Sequence, residues 1–155
     1  MKNYLRANEH IVPIDPLENC SNWTTRIQFH ANLNSCLNVK INSTFVRVPY
    51  QINLRPGEDF DRSKIMYPVI IKADIASVQQ ISHIMSVVFN PSGISKAIEL
   101  YNEDFIIQEF INHDMTVYKV YVIGDQISYK PRESCSNISS NGADFITFNL
   151  SLIHI

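Results

Sequence analysis

The feature that most restricts how this chain can fold is a hairpin written into Thr116 to Lys130. An alternating run, Thr116 to Ile123, meets Gly124-Asp125 and then a return run from Gln126 to Lys130. Glycine in the first of two turn positions suits a type II′ turn, whose twist matches that of the strands it joins. The turn sets the register. Ile123 faces Gln126, Tyr121 faces Ser128, Lys119 faces Lys130 and Val117 faces Arg132. Side chains alternate along a strand, so one face carries Tyr118, Val120, Val122, Ile127 and Tyr129. The other gathers Lys119, Lys130 and Arg132, and a slip of one residue would scatter that set.

Like charges directly opposite one another cost about 0.2–1 kcal/mol per pair. Three cations on one face therefore either stand in water or hold an anion between them. Arginine offers a bidentate fork and lysine a point charge, the two ways side chains grip phosphate. Upstream, Phe105 to Phe110 reads as a short strand, with a polar corner at Asn112 to Asp114 leading into the hairpin.

The surrounding 155 residues are enough for one domain with a substantial core. With a net charge of −2 there is no basic excess to neutralise a nucleic-acid backbone, so any anion site must be local. Cys20, Cys36 and Cys135 are odd in number and lie in no metal-ligand spacing, which suits reduced thiols in a cytoplasmic protein. MKNYLRANEHIV is too polar for a signal peptide, and no apolar run approaches membrane-spanning length. The expected protein is a monomer that binds no nucleic acid and does not insert into a membrane. The sequons at Asn22, Asn42, Asn137 and Asn149 then read as chance matches.

In chain order, Ile11 to Ile14 reads as a strand. Asp15-Pro16 supplies an N-cap and first helical residue for a weakly amphipathic helix from Leu17 to Leu37. That helix carries Trp23, expected in the core, and Arg26, expected on the surface. Thr44 to Val48 reads as a strand and Arg55 to Asp59 as a turn. Glu58, Asp59 and Asp61 have the look of a solvated turn rather than a metal cluster. Tyr67 to Ile71 is a β-branched strand running into Lys72, a lysine placed either to snorkel or to hold a phosphate. His83 leads into the strand Ser86 to Phe89, and Asn90-Pro91 caps and opens a helix to Leu100. Ala143 to Phe148 is one more strand. No P-loop, dinucleotide glycine motif, nucleophile elbow or zinc-type His-Glu pattern is present.

Several stretches together resemble the inositol 1,3,4-trisphosphate 5/6-kinase (inositol-tetrakisphosphate 1-kinase) family. They are Asp15-Pro16, YPVIIK, SHIMSVVFNPSGI and IIQEFINHDMTVYKVYVIGD, with Arg132, Ser134 and Asn137 after them. The resemblance covers nearly the whole chain, from Asp15-Pro16 to about Phe148. It implies an α+β, mixed α/β fold: a partial ATP-grasp of antiparallel sheets with flanking helices. Residues 1–14 would be a remnant of the N-terminal domain and residues 15–155 the central part of the kinase domain. The reaction implied is transfer of the ATP γ-phosphoryl group to a hydroxyl of inositol tris- or tetrakisphosphate. ATP would lie between two sheets, which removes the need for a glycine loop.

Residue by residue, the resemblance assigns Arg26 and Lys72 to the nucleotide and its phosphates. Gln108, Glu109, Phe110 and Ile111 fall on the hinge that meets adenine, and Ser134 falls with the nucleotide residues. His83 and Lys119 are assigned to inositol phosphate. Lys119 and Arg132 are the catalytic cations, Arg132 also touching nucleotide, while Lys130 has no role. ADIASVQQIS, between Lys72 and His83, lacks the glycine that relatives carry there. Mg²⁺ is implied, but its ligands, in an Asp-x-Asn pattern, are expected outside the chain, with no metal ligand within it. The isolated chain is accordingly expected to be weak or inactive. Two further readings stay open: a catalytically inactive module binding nucleotide or inositol phosphate, and an interaction domain whose cationic hairpin docks an acidic partner.

Overall fold

The computed structural model describes residues 2–15, 19–20, 23–75 and 80–150. A short helix, α1 (Lys2–Ala7), opens the chain. Residues 11–13 are irregular rather than a strand, with Val12 and Ile14 exposed. Pro13 has no N–H to give a ladder. The expected helix start at Pro16 and Leu17 lies outside the described residues. The expectation of one continuous helix to Leu37 is corrected, because Trp23 to Thr25 are not helical and α2 spans Arg26–Cys36. Thr25 is extended and caps it by accepting from the Gln28 N–H. Asp74 completes the start, its carbonyl accepting from the Arg26 N–H (2.9 Å) and its Oδ1 from the Ile27 N–H (2.8 Å). A helix therefore begins where a distant acidic residue satisfies its orphan amides. Trp23 is not core either. It is 47% exposed and sits edge-on to Phe29.

Nine strands come next among the described residues. β1 (Asn38–Ile41) and β2 (Thr44–Arg47) form a small antiparallel hairpin with Asn42 at φ 57 in its turn. β3 (Gln51–Leu54) precedes the Arg55–Glu58 turn, where Gly57 takes φ 77 and the Glu58 N–H reaches the Arg55 carbonyl. β4 (Val69–Ala73), β5 (Ile84–Val88), β6 (Phe105–Glu109) and β9 (Phe145–Asn149) join β3 in one antiparallel sheet of order β3-β6-β4-β5-β9. The strand expected at Tyr67 to Ile71 is present but shifted to Val69–Ala73, which leaves Tyr67 and Pro68 before it and puts Lys72 inside it. The strands expected around Ser86, Phe105 and Ala143 are also present with shifted ends.

Period-two alternation divides this sheet into two working faces. Val69, Ile71, Ala73, Val88, Phe105 and Ile107 point to one side and form the main core with Ile94, Ala97 and Tyr101. Helix α3 (Pro91–Ile98) supplies the first two of those three, begun as expected by Asn90, whose side chain accepts from Ser92 and Gly93. Gly93 permits the closest approach: a Cβ there would lie 2.6 Å from the Asp144 carbonyl oxygen. Tyr101 ties the layer together, its hydroxyl donating to the Ile71 carbonyl at 2.9 Å and lying 3.2 Å from the Ser86 hydroxyl. Ile70, Met85 and Val87 point the opposite way, packing with Phe110, Ile138, Ile146 and Phe148.

β7 (Thr116–Ile123) and β8 (Gln126–Glu133) form their own two-stranded sheet. Every pair of the expected register holds, from Ile123↔Gln126 to Val117↔Arg132. Gly124 has φ 56, as the first position of a type II′ turn requires. The return strand runs three residues further than expected, through Pro131, which an edge tolerates. All of residues 117–133 are exposed.

Candidate functional site

The second face of the five-stranded sheet, away from α3, bears the polar side chains. β4 presents Ile70 and Lys72 there, β5 Met85, β6 Ile106 and Gln108, β3 Gln51, and β9 Phe148. Two cavities open over this face, of about 260 and 270 Å³, and share Pro49, Lys72 and Gln108. The first has an apolar floor of Ile70, Met85 and Phe148 and a rim of Glu109, Phe110, Ile111 and Ser134. The second is walled by α2 through Arg26, Phe29, His30 and Leu33, with Gln51 at its far side. A slot with an apolar base and a few convergent polar groups has the makings of a ligand site.

Its electrostatics are unusual. Lys72 Nζ donates to Gln108 Oε1 at 2.7 Å. Arg26 Nη2 donates to the Ser82 carbonyl at 3.0 Å, while Arg26 Nε is buried with no hydrogen-bond partner. Among the described residues, both cations thus bond neutral oxygens. Burial pulls the Lys72 pKa down to about 8, helped by the nearby Arg26 charge. Burial also lowers the Arg26 pKa, against the opposing pull of Asp74 and Tyr101. The surface position expected for Arg26 from its sequence context is therefore corrected: it is half-buried and faces the second cavity. Lys72 does not snorkel to water either.

The hinge at Gln108 to Ile111 is fixed from both sides. The Glu109 N–H reaches the Tyr50 carbonyl and the Phe110 N–H the Pro68 carbonyl. The Glu109 carboxylate takes both Arg47 nitrogens, at 2.6 and 2.7 Å, and the Tyr50 N–H. Its hydrogen bond with Arg47 holds its pKa below the usual carboxylate range. Beyond the hinge, two asparagines close the base of the β7–β8 hairpin. Asn112 exchanges hydrogen bonds with the backbone of Ile138, and Asn137 exchanges them with Asp114. The Ser134 N–H reaches the Met115 carbonyl. Asp114 and Met115 take positive φ, 50 and 61, and these bonds hold them there.

Arg26, Lys72, Gln108, Glu109, Phe110, Ile111 and Ser134 therefore surround the two joined cavities. His83, Lys119 and Arg132 line neither. His83 is exposed at the end of a 3-10 turn (Gln80–His83), one residue from the carbonyl that Arg26 holds. Lys119 and Arg132 lie on one face of the hairpin with Lys130, in water. Residues 76–79, within the segment between Lys72 and His83, lie outside the described residues. Sequence reasoning missed Arg47, Gln51 and the Asn112 clamp. Only Gln51 left a signal, the alternation of Gln51-Ile52-Asn53-Leu54.

The donors here do not suit a magnesium ion. Among the described residues no three His, Cys, Asp or Glu side chains gather as ligands. Glu109, the carboxylate at the cavity rim, is committed to Arg47. No helix among the described residues is long and apolar enough to cross a membrane.

Comparison with known proteins places the chain among relatives. Residues 43–153 match the model of the inositol 1,3,4-trisphosphate 5/6-kinase ATP-grasp domain. Inositol-tetrakisphosphate 1-kinase 5 of Oryza sativa subsp. japonica is 26% identical over 142 residues, covering 87% of this chain and 40% of the rice protein. Inositol-tetrakisphosphate 1-kinase of Xenopus laevis is 25% identical over 149 residues, covering 92% of this chain and 36% of its own length. Inositol-tetrakisphosphate 1-kinase 1 of Zea mays is 32% identical over 75 residues, 48% of this chain and 21% of the maize protein. The chain thus spans two-fifths or less of the length of these curated relatives.

Proposed function

The chain belongs to the inositol 1,3,4-trisphosphate 5/6-kinase family, with its ATP-grasp fold, and from that premise we propose that it forms the nucleotide-binding heart of an inositol polyphosphate kinase. In that reading adenine lies on Ile70, Met85 and Phe148 against the hinge Gln108 to Ile111. The phosphates lie toward Lys72, Arg26 and Ser134. His83 and Lys119 hold an inositol tris- or tetrakisphosphate, and Arg132 meets the phosphoryl group in transfer to an inositol hydroxyl. Such a reaction is carried by positioning and by cations that offset charge spreading over phosphoryl oxygens, so it needs no covalent nucleophile.

One observation carries the reading. Arg26 and Lys72, from different elements, converge on one cavity. Among the described residues their hydrogen bonds go to neutral oxygens, and the one carboxylate acting on Arg26, Asp74, is already used in capping α2. A polyphosphate would supply the missing countercharge. Calorimetric titration with ATP tests this. Saturable binding that Lys72→Ala and Arg26→Ala each weaken is the expected result, and absence of binding to the unaltered chain overturns it.

A second reading has its own support, since the carboxylate at the cavity rim is already committed to Arg47. A module of this kind binds ATP or inositol polyphosphate without turnover. Steady-state assay with inositol tetrakisphosphate separates the two: binding without product favours the module, and turnover at ordinary kinase rates favours the enzyme.

A further inference from the structure

Lys72 does not meet Gln108 in isolation. Gln108 Nε2 donates to Gln51 Oε1 at 3.1 Å, and Gln51 Nε2 donates to Asn53 Oδ1 at 2.6 Å. With the 2.7 Å bond from Lys72, these make a chain of side-chain hydrogen bonds across three neighbouring strands, β4, β6 and β3. Register explains the chain: Gln51 is directly opposite Gln108, and Gln108 is opposite Ile70, diagonal to Lys72.

The direction of the chain is set at one end. An ammonium group has three donors and no acceptor, whereas an amide side chain presents oxygen on one side and N–H on the other. Charged Lys72 must therefore meet the Gln108 oxygen. That turns the Gln108 nitrogen toward β3, where it needs an acceptor, and Gln51 provides one. Asn53 in turn accepts from Gln51. Removing the Gln51 oxygen would leave a half-buried amide unpaired and free to rotate, and Lys72 would lose the group that aims it.

We propose that Gln51 is a positioning residue for Lys72: through Gln108 it holds the ammonium at the junction of the two cavities with its remaining N–H groups free for a phosphate. This rests on the nucleotide-binding reading of the same cleft. The other charged or titratable groups lining the two cavities are Arg26 and His30 on the α2 side, and Glu109, His113 and the Cys135 thiol on the hinge side. None of them lies in the hydrogen-bond chain.

The test titrates the full chain with ATP and, separately, with adenosine, in the unaltered protein, Gln51→Met and Gln51→Glu. Methionine keeps the length and removes the acceptor. Glutamate keeps an acceptor for Gln108. Gln51→Met is expected to weaken ATP about tenfold and adenosine less than about twofold, the loss of one aimed, charge-assisted bond. Gln51→Glu, compared at high salt so that its new carboxylate is screened, is expected to bind ATP more tightly than Gln51→Met. The pH profile of ATP affinity should move in Gln51→Met. Equal losses for ATP and adenosine, or no loss for ATP, overturn the positioning role while leaving nucleotide binding intact. Failure of the unaltered chain to bind ATP overturns both. Should Gln51→Met not fold, by loss of its far-ultraviolet dichroism, Gln51→Ser gives the same comparison.

Discussion

The five-stranded sheet and the β7–β8 hairpin each gather cations by the same two-residue alternation, yet they give those cations opposite surroundings. On the sheet, Lys72 is half-buried beside Arg26, and its pKa falls to about 8. On the hairpin, Lys119 and Lys130 are paired directly, and both are exposed. Water and salt screen the hairpin charges, so their repulsion is small. On the sheet that screening is weak, and an anion that enters is held by charges already stripped of water. Alternation decides which residues share a face, but burial decides whether that face can select a ligand.

The largest expected effect comes from Lys72→Met. Calorimetry should find ATP affinity down about a hundredfold. The empty protein should become more stable at neutral pH by about 2 kcal/mol, since about 3 kcal/mol of charge burial is relieved and about 1 kcal/mol of hydrogen bonding to Gln108 is lost. The pH dependence has a definite sign. Because the folded pKa lies below the unfolded value, the unfolded chain holds more protons between about pH 8 and the usual lysine range. Stability should therefore rise with pH across that window and fall as pH drops back toward 8. Thermal unfolding in the two proteins checks this, and an identical slope in Lys72→Met would erase the contrast between buried and solvated cations.

Gly93→Ala should come next, at about 2 kcal/mol or more, because its Cβ would press into backbone at Asp144. The matching hairpin change, Gly124→Ala, meets nothing within 4 Å. It should cost only the strain of a positive φ, about 1 kcal/mol, and leave the melting of the sheet unchanged. Asp74→Ala ranks below these. Loss of the bond to the Ile27 N–H should cost about 1 kcal/mol in denaturant unfolding and weaken ATP several-fold by loosening Arg26. Smallest is Lys130→Ala, expected within about 0.5 kcal/mol in stability and without effect on ATP. If Lys130→Ala weakened ATP as much as Lys72→Ala, the hairpin would be part of the buried site.

Legibility in the sequence divides along the same line. The hairpin register depends on one turn and strict alternation, both local, and it is readable to the residue. Lys72 is readable as lying next to a buried apolar run because YPVII announces its own burial, though the strand continues past it to Ala73. Arg26 is not, since its surroundings come from Asp74 and Ser82, 48 and 56 residues away. Arg47 and Glu109 meet across 62 residues, and nothing near either signals the other. The β1–β2 hairpin is hidden because its turn, Asn42-Ser43, has no glycine. Trp23 is misplaced by its sequence context because hydrophobicity does not guarantee burial, and its partner is another exposed ring. Long-range hydrogen bonds and helix starts depend on segments that sequence distance keeps apart.

The asparagine clamps at the hairpin base have a practical consequence. They bring the outgoing and returning strands together, as the bond between Ser134 and Met115 shows, so whatever happens at the Gly124 tip is mechanically isolated from the sheet. A peptide tag or fluorophore spliced between Gly124 and Asp125 would sit on the exposed ribbon and leave the five-stranded sheet undisturbed.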